Sequence, residues 1–180
     1  MNKNIITGDN FTVIHNILSE KEIEEIHTHF TTVEIGHQSN TSQWVVDSDK
    51  KTKVAAPNRN VTIIGIKEGS LSFIADKIKG CFHTLLEKEV TLEYPHYYTH
   101  YGVGGFHSLH VDAGIEEFDR QQVIIIHLSD PDEYEGGDLI INKEVTPKGK
   151  GMAILFNGQK PHEVTKVTKG ERIILSECIY

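Results

Sequence analysis

His110-Val111-Asp112 sets an imidazole and a carboxylate two residues apart, a spacing that turns both side chains to one face of a strand. A third candidate ligand, His162, follows the turn-forming run Asn157-Gly158-Gln159-Lys160-Pro161 and opens another β-prone stretch. Two imidazoles and one carboxylate on one side of a divalent ion leave its other positions open. For Fe(II), that facial arrangement suits oxygen chemistry, with a bidentate 2-oxo acid in two open positions and dioxygen in the third. The same side chains plus water also suit tetrahedral zinc, and His-x-Asp is too frequent by chance to separate the two. Arg172 favours the oxo acid. It falls ten residues after His162 on the next predicted strand, where a guanidinium fork could meet a far carboxylate through two charge-assisted hydrogen bonds. A zinc hydrolase gives Arg172 no task and lacks a general base at helical spacing; a third alternative is a metal-binding barrel that senses or stores a ligand.

Eleven histidines in 180 residues is the one unusual count, and His96, His100, His107 and His110 crowd into fifteen positions. They form an alternative ligand pool, but His96 and His100 precede a Gly-rich turn on a strand and read as structural or pocket-lining residues.

The elements that must position these residues come in two kinds. Ser19-Glu20-Lys21-Glu22 fits a capping box, and Ile23, Ile26 and Phe30 follow at helical spacing, which predicts a helix over about 20–30. A second helix is predicted from near Ser70, where Leu71, Ile74, Ile78, Cys81 and Leu85 form a stripe. Val45-Val46 and Val61 to Ile64 read as strands, and the polar, Pro-containing run from Asp47 to Asn60 reads as a loop. From about residue 90 the pattern changes to short β-prone runs between turn residues: 123–126, 139–141, 152–156, 163–165 and 172–175. Helices first and roughly eight strands second predict an α+β chain with a two-sheet jelly-roll barrel in its C-terminal half. The expected organisation is a single domain over 1–180, with about 1–90 as helical support and about 91–180 as the core.

The formal charge of -8 argues against a general nucleic-acid binder, since phosphate contacts need clustered Lys and Arg. Cys81 and Cys178 are too few for a disulfide framework and sit in apolar patterns, so buried thiols and a reducing compartment are expected. With no apolar h-region at the N-terminus and no run of about 18 apolar residues, the expectation is a soluble, cytoplasmic protein with no membrane partner. Oligomeric state is not readable.

The run from Tyr101 to Asp112, Tyr-Gly-Val-Gly-Gly-Phe-His-Ser-Leu-His-Val-Asp, resembles the first iron motif of prolyl-hydroxylase-like 2-oxoglutarate oxygenases. Gln122 to Leu139 is similar to that family's central strand, loop and Gly-Gly turn. Gly151 to Phe156, Pro161-His162-Glu163-Val164 and Lys169-Gly170-Glu171-Arg172 continue the pattern in order. The resemblance covers about 91–180 well and the N-terminal half loosely, and its nearest look is to small bacterial and phage-type members. It departs at His107, where the family often has Tyr.

The resemblance implies Fe(II) held by His110, Asp112 and His162, and the distal carboxylate of 2-oxoglutarate gripped by Arg172. It places Tyr101 at the border of the cosubstrate pocket and His127 near that carboxylate. His107, Tyr98 and Trp44 are candidates for contact with the substrate, and Trp44, Arg59 and the 47–60 run for its groove. The implied reaction couples oxidative decarboxylation of 2-oxoglutarate, with dioxygen, to hydroxylation of an unactivated C–H bond. Succinate and carbon dioxide are the coproducts and ascorbate the expected reductant. Peptidyl proline in a peptide or protein is the expected substrate, with a free amino acid or another small molecule as the alternative.

Overall fold

The computed structural model describes residues 4–31, 51–66, 70–86, 90, 92, 96–112 and 122–179, without the side chains of 51–56, 85–86 and 179. Val45-Val46 and Trp44 lie outside the described residues.

Two helices cover one face of a curled antiparallel sheet. Helix α1 (Glu20–Thr31) begins at the capping box: the Ser19 amide donates to Glu22 Oε2 at 2.8 Å, and the Glu22 amide donates to Ser19 Oγ at 3.3 Å. The Ser19 amide holds the Glu22 carboxyl below its usual range. Helix α2 (Ser72–Leu86) starts two residues later than the Ser70 reading, because Leu71 takes a left-handed φ of 50° and forms the preceding turn. Ile23, Ile26 and Phe30 meet Ile74, Ile78 and Phe82 over the sheet. Cys81 and Cys178, expected to be buried, are half-buried and not disulfide-bonded among the described residues; burial still pushes the Cys81 thiol up to about 11.

The strands are β1 (Ile5–Thr7), β2 (Thr12–Ile14), β3 (Lys51–Ala56), β4 (Arg59–Ile66), β5 (His96–Tyr101), β6 (Phe106–His110), β7 (Gln122–His127), β8 (Leu139–Ile141), β9 (Glu144–Val145), β10 (Ala153–Phe156), β11 (His162–Val164) and β12 (Arg172–Ile179). They are ordered β1-β2-β10-β7-β12-β5-β4-β6-β11-β8-β9, with β3 paired to β4. Among the described residues, β5 to β12 supply the eight strands expected of the C-terminal half. The two sheets of the jelly roll are joined through β4, whose Thr62–Ile66 pairs with β5 and whose Arg59 and Asn60 pair with β6.

Strand alternation divides the apolar residues between two cores. In β7, Ile124 and Ile126 face the helices, while Val123 and Ile125 face the barrel interior; in β10, Ala153 and Leu155 do the former, Ile154 and Phe156 the latter. This is why those strands read as continuous apolar runs.

The loop reading of 47–60 needs correction. Lys51–Ala56 is a strand, turned by Pro57-Asn58 directly into β4, with Ala56 opposite Arg59. Its polar, non-alternating composition hides it, because an edge strand need not show the pattern of a half-buried one, and Pro57 belongs to the two-residue turn and not to the strand.

Candidate functional site

His110 ends β6 and His162 opens β11, and the two face each other as cross-strand partners. Asp112 lies just past the end of β6, not within a strand as its spacing suggested. Its backbone amide donates to the Gly158 carbonyl at 2.9 Å, which ties it to the turn leading into His162. One carboxylate thus reaches both rings: Asp112 Oδ1 is 3.5 Å from His110 Nε2, and Oδ2 is 3.6 Å from His162 Nε2. The three donor atoms lie within 4.8 Å of one another, a compact arrangement that could hold a divalent ion.

The tautomers fit that use. His110 Nδ1 is 2.7 Å from the Ser108 carbonyl, and His162 Nδ1 is 2.9 Å from the Lys160 carbonyl. A carbonyl only accepts, so each Nδ1 carries the proton and donates it, leaving the Nε2 lone pair free toward Asp112. Such contacts orient metal-binding imidazoles. Both carbonyls lie two residues before the histidine they hold, partners that the sequence alone did not reveal. Burial also lowers the His162 pKa, favouring the neutral ring.

His107 lines the same cavity as His110, because the pairing of β6 with β11 shifts register between the two. Its ring stacks on His110 with centroids 3.8 Å apart, and burial lowers its pKa to about 3. His96 and His100 take no part. His96 is buried in a pair with Glu177, and His100 Nε2 meets Glu171 Oε2 at 3.2 Å.

A cavity of about 70 Å³ leads from His107, His110, Asp112 and His162 into the barrel. Arg172, on the first position of β12, is 0 % exposed. Among the described residues none of its three guanidinium nitrogens has a hydrogen-bond partner. Native interiors rarely leave so many donors unsatisfied, and a buried cation without an anion is costly. The site therefore fits a carboxylate supplied by a ligand. Tyr101 stands opposite Arg172 across the strand pair, with its ring centroid 5.0 Å from Arg172 Cζ. His127 has the same strand parity as Val123 and Ile125 and is buried; burial, reinforced by Arg172, lowers its pKa to about 3, and its Nε2 has no partner among the described residues.

Tyr98 is not in the site. It packs on Phe30, with ring centroids 3.9 Å apart, in the helix-side core. Alternation requires this: Tyr97, Thr99 and Tyr101 line the interior, so Tyr98 must face away. Arg59 does line the cavity, buried beside His107, so it is a site residue and not part of a surface loop. Tyr134, which no local pattern in the sequence singles out, is buried near Arg172, and burial raises its pKa while Arg172 opposes the rise.

The Gly136-Gly137 turn is shaped by Arg172. At Gly137 φ is +61°, and a Cβ would lie 2.9 Å from Arg172 Cδ and 2.9 Å from Val167 Cγ2. Gly137→Ala is expected to destabilise the protein by about 1–3 kcal/mol from backbone strain and the displaced Arg172 stem, read as a lower urea midpoint with an unchanged slope.

Residues 96–180 match the model of the 2OG-Fe(II) oxygenase superfamily. A PKHD-type hydroxylase of Teredinibacter turnerae is 32% identical over 90 residues, 44% of this chain but only 40% of that relative's length. A second, from Pseudoalteromonas atlantica, is 26% identical over 183 residues, covering 89% of this chain and 74% of the relative. Among solved structures, a Pseudomonas putida prolyl-4-hydroxylase shares the fold with a TM-score of 0.70 at 16% identity, over 94% of this chain and 91% of that one.

Proposed function

We propose that the chain is a member of the 2OG-Fe(II) oxygenase superfamily, on its prolyl-hydroxylase-like branch, and that it hydroxylates a C–H bond, on a peptidyl proline, at the expense of 2-oxoglutarate and dioxygen. His110, Asp112 and His162 would hold Fe(II), and Arg172 would hold the distal carboxylate of 2-oxoglutarate. When bound, these groups supply the oxidising power, and succinate and carbon dioxide leave as coproducts.

The observation that carries this reading is the pairing of two Nε2 lone pairs turned to one carboxylate with a wholly buried, unpartnered guanidinium. The first suits a cation with open positions and the second a dicarboxylate. A zinc hydrolase uses only the first. The residues around Arg172 have separate tasks: Tyr101 walls the cosubstrate end, His127 in its neutral form offers a hydrogen bond rather than a second charge, and the apolar walls Val61, Ile63, Leu139 and Ile174 exclude water.

For the substrate, the support is the likeness to PKHD-type hydroxylases. An extended, Pro-containing segment loses little conformational entropy on docking. The net charge of -8 would favour peptides bearing Lys or Arg, through an attraction that salt weakens.

The test offers Pro-containing peptides, free proline and single-stranded DNA to the protein with Fe(II), 2-oxoglutarate and ascorbate. A gain of one oxygen on peptidyl proline is expected in the mass spectrum. Oxidation of free proline or DNA alone would reject the peptide reading and leave the oxygenase chemistry in place.

A further inference from the structure

Beside the stem of Arg172 lies a group of residues that the proposed metal site and carboxylate anchor do not use. Tyr134 sits between the short 3-10 turn Pro131–Glu133 and Gly136-Gly137, and is buried. A Cβ on Gly137 would stand 2.9 Å from Arg172 Cδ and 3.4 Å from Tyr134 Cε2. The Tyr134 ring and the Arg172 stem thus converge on a backbone position that has no side chain. Lys148 ties the arrangement together from the outside. Its Nζ lies 4.6 Å from the centroid of the Tyr134 ring, donates to the Gly136 carbonyl at 2.6 Å, and pairs with Asp138 Oδ1 at 2.8 Å. Asp138 in turn accepts from Thr165 Oγ1 at 3.2 Å through Oδ2. One ammonium therefore joins the aromatic ring, the Gly-Gly turn and the strand-edge carboxylate.

We propose that Tyr134 is a positioning residue for the cosubstrate, its hydroxyl donating to the distal carboxylate beside the Arg172 fork while Lys148 holds the ring in place. The inference rests on the reading of Arg172 as the carboxylate anchor. An ionised carboxylate offers about four lone-pair sites, and a bidentate guanidinium fills two. In a dry pocket the remaining acceptors need further donors, since a buried charged acceptor left unsatisfied is costly. Tyr134 faces the guanidinium closely enough for Arg172 to act on its ionisation, and burial keeps the phenol protonated at neutral pH, so it is a donor. Lys148 contributes at a distance: its side chain is only 20% exposed, and among the described residues it contacts the ring, the turn and Asp138.

The test measures binding of two ligands to the full chain loaded with Mn(II), by calorimetry. One is 2-oxoglutarate; the other is 2-oxopentanoate, which keeps the oxo acid but lacks the distal carboxylate. Tyr134→Phe should weaken 2-oxoglutarate about tenfold or more, as expected for a hydrogen bond to a charged group, and leave 2-oxopentanoate unchanged. Lys148→Met should weaken 2-oxoglutarate by a smaller factor, and Lys148→Arg should restore it. Wild-type affinity for 2-oxoglutarate in Tyr134→Phe, or an equal loss of both ligands, overturns the proposal. Arg172→Met serves as the control that separates the two readings. Weakened 2-oxoglutarate binding there with none in Tyr134→Phe rejects Tyr134 alone, whereas wild-type affinity in Arg172→Met rejects the anchor and the inference with it.

Discussion

Arg172→Met is expected to weaken 2-oxoglutarate binding at least tenfold while leaving the ligand-free protein as heat-stable as the wild type, or more so. Both effects have one cause. The guanidinium is 0 % exposed, its nitrogens have no hydrogen-bond partner among the described residues, and the titratable side chains on which it acts, Tyr101, His127 and Tyr134, are ones that burial keeps neutral. An unpaired buried cation of this kind opposes folding, and replacing buried charge with an apolar side chain of similar volume is often neutral or stabilising by about 1–4 kcal/mol. The methionine fills the channel left by the Arg172 stem without a charge to solvate. The same substitution removes a shielded, charge-assisted pair with the carboxylate, worth about 2–5 kcal/mol, or well over one decade in affinity. Calorimetry against the Mn(II)-loaded protein and a thermal melt of the metal-free protein measure the two halves. A variant that both melts much lower and binds 2-oxoglutarate normally would make Arg172 a structural residue.

His162→Ala is expected to abolish the thermal stabilisation given by Mn(II) or Fe(II). At a metal concentration of about a hundred times the dissociation constant, binding stabilises by roughly 2.7 kcal/mol. For a chain of this size that corresponds to about 5–10 °C. His162 is the more buried of the two imidazoles and faces both Asp112 and the ring of His110, at a centroid distance of 4.2 Å. Its loss leaves one imidazole and one carboxylate. His107, stacked on His110, is the nearest replacement, so retention of the full shift would move the ligand role there. The double variant His107→Ala, His162→Ala decides that case.

Much of this site was legible because its residues sit where local pattern is strongest. The turn ending at Pro161 followed by a β-prone run placed His162 at the start of a strand, and Arg172 opened the next. The capping box at Ser19 and the stripes of α1 and α2 predicted the helices, since burying one face of a helix demands that spacing. What stayed hidden depended on contacts between distant segments. Lys51–Ala56 pairs along one edge of β4 and carries no alternation to reveal it. Arg59, one strand-pair step from His107, and Tyr134, brought to Arg172 by the Gly-Gly turn, had no local signal for burial. Tyr98 is different: it lies three positions from Tyr101, which lines the pocket, and on a regular strand such a residue cannot share its face.

The central claim, that this site couples oxidation of 2-oxoglutarate to hydroxylation, is tested most directly by following isotopic oxygen. The protein is incubated with Fe(II), ascorbate, 2-oxoglutarate and a Pro-containing peptide under ¹⁸O₂, beside an Asp112→Ala control that removes the carboxylate shared by both imidazoles. The account predicts one labelled oxygen in succinate and one in the hydroxylated peptide, with neither product above background in the control. Succinate formed equally by wild type and Asp112→Ala, or no labelled succinate from either, would contradict it.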